Sequence, residues 1–224
     1  MKYDLNSFFD AILNDKLIPQ KQNLYHNLKK VIKHYRNVLP EFEKRPVQLL
    51  NEDGQVFSNQ ILFDNIGLDS FYEIAWDINK ALYIIQALQI QPIAVPLKEL
   101  MELINLNEID HQHLQVAQNN TSPAIIVRYA PLNDDFVIDG NHRIAGHYAA
   151  NPQGNFPVYL LKNPLHINAM YSDLDVALYC IHQNLNSILN YIGGNVKSVE
   201  LLKENFFVNK RDDLLWIKKG LIKF

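Results

Sequence analysis

The stretch that most constrains this chain is residues 136–150, Phe136-Val137-Ile138-Asp139-Gly140-Asn141-His142-Arg143-Ile144-Ala145-Gly146-His147-Tyr148-Ala149-Ala150. Three β-favouring apolar residues lead into Asp139-Gly140. The Ala-rich segment that follows is too poor in β-branched residues to return as a second strand, so the pattern predicts strand, turn, helix. Gly140 can take a positive φ or let a ligand close to the backbone, and Asn141 is a good N-cap residue that leaves the first helical amides free to meet an anion. Those amides and the helix dipole favour phosphate. Arg143 adds a planar cationic fork suited to phosphate or carboxylate, while Asp139 and His142 add an acid able to face a metal ion and a titratable ring. A plainer outcome stays open: Asp-Gly is also a common hairpin turn, and clusters of Asp, Asn, His and Arg also cap helices and pair on surfaces.

The flanks extend the pattern. Ile93-Ala94-Val95 reads as a strand and residues 97–103 as a short helix. Ser122-Pro123 leads into the strand Ala124-Ile125-Ile126-Val127-Arg128-Tyr129, a turn at residues 131–134 returns the chain into Phe136, and Phe156-Pro157-Val158-Tyr159-Leu160-Leu161 forms one more strand. With this order around it, the run Asp139-Gly140-Asn141-His142-Arg143, followed by small residues at Ala145, Ala149 and Ala150, resembles the signature loop of the ParB/sulfiredoxin superfamily, whose members carry variants of Gly-x-x-Arg there. The resemblance spans residues 91–162.

It implies an α+β protein: a small mixed β-sheet of ParB/sulfiredoxin type, with a helical region at 1–90 before it and another at 163–224 after it. Sulfiredoxins place a catalytic cysteine directly after the loop glycine; Asn141 stands there, which argues against sulfinic-acid reduction. The partition-protein branch uses Gly-Glu-Arg-Arg, where this chain has Gly140, Asn141, His142 and Arg143, so the acidic metal-facing residue and one arginine are replaced. The free-serine kinases and other enzymes with an Asp-Gly-x-x-Arg loop are closer. By that similarity Asp139 is the base or metal-facing acid, Gly140 and Asn141 form the backbone cradle, and His142 and Arg143 contact phosphate, with Asp139 and His142 as the catalytic candidates. Ser122, before the second strand, is a candidate for lining the nucleotide pocket, and Glu99 or Glu102 for supplying a second acid. The implied ligand is ATP or CTP with Mg2+, and the implied reaction is nucleotide-dependent phosphotransfer or hydrolysis. Two alternatives stand beside it: a ParB-like DNA-processing protein, a nuclease or DNA binder with nucleic acid as its partner, and a non-catalytic helical interaction protein in which the motif is only a cap.

The remaining sequence narrows the classes. With 224 residues and 48% hydrophobic content, the chain is long and apolar enough to bury a substantial core. No stretch has the pattern of a signal peptide and no run of about 18 apolar residues is present, so a cytoplasmic protein without a membrane partner is expected. A net charge of −3 and a pI near 6.2 do not suit a protein held to DNA by its overall field. Cys180 is the one cysteine, which excludes an internal disulfide and any multi-cysteine zinc site; it falls in an amphipathic helix as a core thiol. His111 and His113 sit in a polar segment facing solvent, and His142 and His147 are well out of line on a helix of about 3.6 residues per turn. No His-Glu-x-x-His, Gly-x-Ser-x-Gly or P-loop pattern occurs, against the common zinc, serine-hydrolase and Walker-type chemistries.

Around this core the periodicity predicts helices. One carries Leu5, Phe8, Phe9, Ile12 and Leu13 and stops at Pro19; a second runs over 20–39 until Pro40, with Lys21, Lys29, Lys30, Lys33 and Arg36 as a solvated cationic face. Val56-Phe57 and Ile61-Leu62-Phe63 suggest two short strands after an Asp53-Gly54 turn. Ser70-Phe71-Tyr72-Glu73 has the form of a capping box opening a helix with a stripe from Phe71 to Leu88. Ser172 caps another helix that ends at Gly193-Gly194. A shorter helix after Ser198 and a basic, aromatic tail with Trp216, Lys218, Lys219, Lys223 and Phe224 follow.

Overall fold

The computed structural model describes residues 2–14, 22–47, 54–63 and 68–192. Within these the chain runs β1 (Tyr3–Asp4), α1 (Asn6–Asn14), α2 (Gln22–Glu43), β2 (Val56–Leu62), β3 (Phe71–Asp77), α3 (Ile78–Ala87), β4 (Ile93–Pro96), α4 (Leu97–Met101), α5 (Leu114–Ala117), β5 (Ala124–Tyr129), β6 (Asp134–Asp139), α6 (Asn141–Ala150), β7 (Asn155–Leu161), α7 (Leu165–Asn168) and α8 (Asp173–Ile192), with 3-10 turns at Leu106–Glu108 and His111–His113. The expectations for Pro19, Asp53, Gly193-Gly194, the helix after Ser198 and the tail lie outside the described residues. The protein is α+β, and none of its described helices is long and apolar enough to cross a membrane.

Two compact units divide the chain, one taking Leu49–Ser58 and Ala75–Tyr171, the other Met1–Gln48, Asn59–Ile74 and Ser172–Phe224. The first is wider than the 91–162 core. It holds a four-stranded sheet in the order β4-β7-β5-β6, with β5 and β7 parallel and the other two pairs antiparallel. Strands β4 to β7 and helices α4 and α6 begin within two residues of where the sequence placed them, though α4 stops at Met101 and β6 starts already at Asp134. Successive residues of a strand point to opposite faces. Ala124 and Ile126 of β5 accordingly join Leu97 and Leu100 of α4 and Ile144 and Ala145 of α6 in one core. Ile125, Val127 and Tyr129 are buried on the other face. A strand covered on both sides reads as a continuous apolar run, which is what β5 is.

The β5–β6 hairpin is closed by Asn133 at a φ of 53°, a left-handed position that asparagine tolerates. Pairing then shifts by one residue near the far end, where Ile125 faces Asp139 and Ile126 faces Val137. Such a bulge re-aims the end of a strand, and this one lies directly before Gly140.

In the other unit, α1 buries Phe8, Phe9 and Ile12, and α2 buries Leu28, Val31, Ile32, Tyr35, Val38, Leu39 and Phe42 at helical spacing. Here one expectation is corrected. Pro40 does not end α2, which runs to Glu43 with the proline inside it. The apolar stripe continues past Pro40 to Phe42, 2% exposed, so packing holds a last turn that backbone preference alone would break. Cys180 is buried on α8 as expected, and burial pushes its thiol well above the ordinary range.

The region before the core is also not wholly helical. Strands β1, β3 and β2 form a three-stranded sheet in that order. The two short strands expected around 56–63 are one continuous strand, β2. The helix expected from Phe71 begins only at Ile78, because Phe71, Tyr72, Ile74 and Trp76 are β-favouring residues that lie in β3. Ser70 does cap a helix, but it is α1: its Oγ accepts the Phe8 N–H at 2.9 Å. The cap of α3 is Asp77, whose Oδ1 accepts the Lys80 N–H at 3.1 Å.

Candidate functional site

Strand β6 delivers Asp139 to a one-residue turn, and α6 starts at once. Gly140 is the N-cap residue, at φ 104° and ψ 14° in the left-handed region. Asn141 is therefore the first residue of the helix and does not cap it, a correction to the sequence reading. The reason is steric as well as conformational. A Cβ at Gly140 would lie 2.8 Å from Ala124 Cβ and 2.9 Å from Arg143 Nη2, so only glycine passes between β5 and the first turn of α6. No side chain caps α6, and its ladder opens with the Ile144 N–H bonding the Gly140 carbonyl at 3.0 Å. The amides ahead of it, at Asn141, His142 and Arg143, are the donors a helix start leaves over.

Arg143 and Asp139 are brought together. Nη2 of Arg143 lies 2.8 Å from Asp139 Oδ2 and also donates to the Pro123 carbonyl at 3.3 Å. The two side chains are 17% and 25% exposed, so the pair is largely sheltered. It fixes the loop against the approach to β5, where Ser122, itself exposed, is held in a turn by its N–H bond to Asn120 Oδ1 at 2.9 Å. Arg143 Nε and Asn141 Oδ1 are both buried with no hydrogen-bond partner. Leaving a buried polar atom unmatched costs about 1–3 kcal/mol. Two such atoms, one donor and one acceptor, flank the uncapped helix start.

His142 points elsewhere in the same neighbourhood. Its Nε2 accepts the backbone N–H of Asp110 at 3.0 Å, a contact between residues 32 apart in sequence. The carboxylate of Asp110 in turn meets His113 Nδ1 at 2.8 Å through Oδ2 and accepts the Gln112 N–H at 2.9 Å through Oδ1. The Gln112 amide first, then His113, hold this carboxyl below the usual carboxylate range. The rings of His113 and His142 stand 6.2 Å apart, edge to face. Asp110 and His113 thus belong to the neighbourhood of the loop, and sequence reasoning did not place them there. The available signal was local: Asp110, two residues before a turn amide and three before a histidine, is a pattern that closes on itself.

His147 takes no part in this cluster. Its Nε2 is 3.1 Å from the Asn120 carbonyl and its ring 4.7 Å from Phe156, contacts that seat α6 on the sheet. Gly146 has a similar packing role, since a Cβ there would come within 2.8 Å of the Leu114 carbonyl.

Among the described residues no three His, Cys, Asp or Glu side chains gather as a metal-binding group. Glu99 and Glu102 are exposed, and neither side chain bonds to the loop. A magnesium ion carried on phosphates draws most of its ligands from phosphate and water and needs only one or two carboxylates. Asp139 suits that lesser role, because its ion pair uses Oδ2 and leaves Oδ1 out.

Chemically, the loop offers backbone N–H donors, a sheltered guanidinium, one carboxylate oxygen and two histidine rings within a single turn of helix and the segment beside it. No protein-family model, no curated protein and no solved structure matches this chain.

Proposed function

We propose that residues 139–143 hold the phosphates of a nucleotide, ATP or CTP carrying Mg2+, and that the chain uses it in phosphotransfer or hydrolysis on a ParB/sulfiredoxin-like core. The observation that carries this is the start of α6: its N-cap is a left-handed glycine, no side chain takes its first amides, and Arg143 Nε is buried beside them without an acceptor. An anionic oxygen at that point meets the positive end of the helix and gives Nε a partner. Asp139 would hold the Mg2+ through Oδ1, while its Oδ2 keeps Arg143 in place. When bound, that ion neutralises phosphate charge and draws electron density from the phosphorus under attack. Gly140 keeps the backbone accessible, Asn141 Oδ1 would accept from a hydroxyl of the ligand, and Ser122 stands at the rim.

Thermal unfolding in the presence of ATP, ADP, CTP and GTP, with and without Mg2+, tests this. At a concentration of 100 times Kd, a ligand specific for the folded state adds about 2.7 kcal/mol of stability. At least one triphosphate is expected to raise the midpoint, more so with Mg2+, and Arg143→Ala to remove the rise relative to its own ligand-free midpoint. A flat response across the panel overturns the proposal, and a rise that survives Arg143→Ala moves the nucleotide away from this loop.

A further inference from the structure

We propose that His113, oriented by Asp110, is the general base of the site and activates water for attack on a bound nucleotide's terminal phosphate; this rests on the nucleotide function proposed above. Four groups near the start of α6 can accept a proton, and their commitments separate them: the Asp110 carboxylate already accepts the Gln112 N–H through Oδ1 and the His113 ring through Oδ2. Asp139 has Oδ2 committed to Arg143 at 2.8 Å, and the function proposed above gives its Oδ1 to Mg2+. His142 has its Nε2 lone pair committed to the Asp110 N–H at 3.0 Å, so taking a proton there would break the contact that docks this segment on the helix. His113 is different. The Asp110 carboxylate accepts its Nδ1–H at 2.8 Å, which fixes the neutral ring in the tautomer whose Nε2 carries a lone pair, and among the described residues Nε2 has no partner.

The placement serves that role. The His113 side chain is 71% exposed, open to solvent and ligand, while its ring stands 6.2 Å from that of His142 in the first turn of α6. His142 and Asp110 are positioning residues, linking the ring to the helix whose amides face the phosphates.

In the step itself, Nε2 removes a proton from water as the water oxygen bonds to the terminal phosphorus. The bond from that phosphorus to the bridging oxygen breaks, and its electron pair leaves on the nucleoside diphosphate. The proton then passes from Nε2 to solvent, so nucleotide and water yield diphosphate and inorganic phosphate.

The test measures two things on the full chain with Mg-ATP and Mg-CTP: the nucleotide-induced rise in unfolding midpoint and the release of inorganic phosphate. His113→Ala is expected to keep the rise and lose phosphate release by about 100-fold or more, the range typical of a general base. Added imidazole should restore part of the rate in His113→Ala, a rescue that a purely structural role would not allow. Asp110→Asn should lower kcat with little change in KM. If His113→Ala fails to fold, His113→Gln carries the same two measurements. Bound nucleotide with phosphate release within about threefold of wild type in the His113 variant overturns this inference and leaves nucleotide binding standing, since a base of this kind is worth far more. Wild-type protein that binds nucleotide but releases no phosphate also overturns it, and wild-type protein that binds none overturns both.

Discussion

The helices α6 and α8 begin in opposite ways. At α8, Ser172 and Asp175 close on each other: the Asp175 N–H donates to Ser172 Oγ at 3.2 Å, and the Asp175 carboxylate accepts both the Ser172 N–H at 2.9 Å and its hydroxyl. That is a reciprocal cap of the Ser-x-x-acid kind, and it uses the helix start internally. At α6 no side chain does this, and the turn is set by a left-handed glycine. The chain therefore has the means to seal a helix start and applies them at α8 and, through Asp77, at α3. The start of α6 is held in shape by backbone and steric fit, with no side-chain cap on its first amides.

The most severe way to break the contrast is to give Gly140 a side chain. Gly140→Ala would impose about 1–2 kcal/mol for a left-handed non-glycine residue, and crowding in a packed core adds about 1–3 kcal/mol. The clash is with Ala124 Cβ at 2.8 Å, part of a central strand that cannot move aside. A loss of about 3 kcal/mol is expected in urea unfolding at neutral pH. A loss below about 1 kcal/mol would mean that the turn is not fixed by steric fit, and the difference between the two helix starts would lose its basis.

Acid probes the core around α8 through its buried histidine. His182 on α8 is buried, with Nδ1 2.6 Å from the Tyr72 hydroxyl and Phe8 and Phe63 against its ring. Burial lowers its pKa from 6.5 to about 4, and burial lowers His166 to about 4 as well. Both rings are neutral in the folded state where the unfolded chain would bind protons. Their contribution is therefore complete above pH 6.5 and is lost as pH falls toward 4. At about 1.4 kcal/mol per unit, each ring accounts for at most about 3 kcal/mol over that window. Urea midpoints taken from pH 7.5 to 4.5 should fall, and His182→Phe should reduce the slope by about half, as two equal sites require. An unchanged slope in that variant would show that the ring is not held neutral by the core.

Ser172→Ala probes the sealed helix start itself. Loss of an N-cap costs about 1 kcal/mol, and here Asp175, fully buried, also loses a hydroxyl donor. A destabilisation of about 1–2 kcal/mol is expected. Any nucleotide-induced rise in midpoint should be untouched, because that start offers no open amides to an anion. Loss of the rise in this variant would erase the distinction between the two helix ends.

What the sequence disclosed of this arrangement follows from how local each feature is. Residues 93–161 were legible because each strand there carries a short apolar run of β-branched, aromatic or aliphatic residues and each break carries glycine, proline or asparagine, signals that act within a few residues. The segment from Phe71 was not. Ser70-Phe71-Tyr72-Glu73 satisfies the capping-box pattern, and its apolar spacing admits a helix, yet the partner of Ser70 is the Phe8 amide, 62 residues away. Only the assembled fold supplies that partner. The candidate site divides along the same line. Asp139 to Arg143 announced a loop at a helix start, whereas the swap of N-cap from Asn141 to Gly140 depended on Ala124, and Asp110 and His113 joined through one backbone hydrogen bond to His142.

That last bond supplies the smallest and most specific test. His142→Phe keeps a ring on α6 but removes the acceptor for the Asp110 N–H, which would turn to solvent. The contact is exposed, so the stability cost should stay below about 1 kcal/mol. The Asp110 amide, however, should exchange its hydrogen faster, and His113 should no longer be held 6.2 Å from position 142. If nucleotide still raises the midpoint while phosphate release falls, His142 acts by placing the Asp110–His113 pair and not by holding phosphate. If the rise disappears while Asp110 stays protected from exchange, His142 is itself a phosphate contact. Position 142 would then join the amides of α6 in facing the ligand, and the open helix start would extend to a side chain.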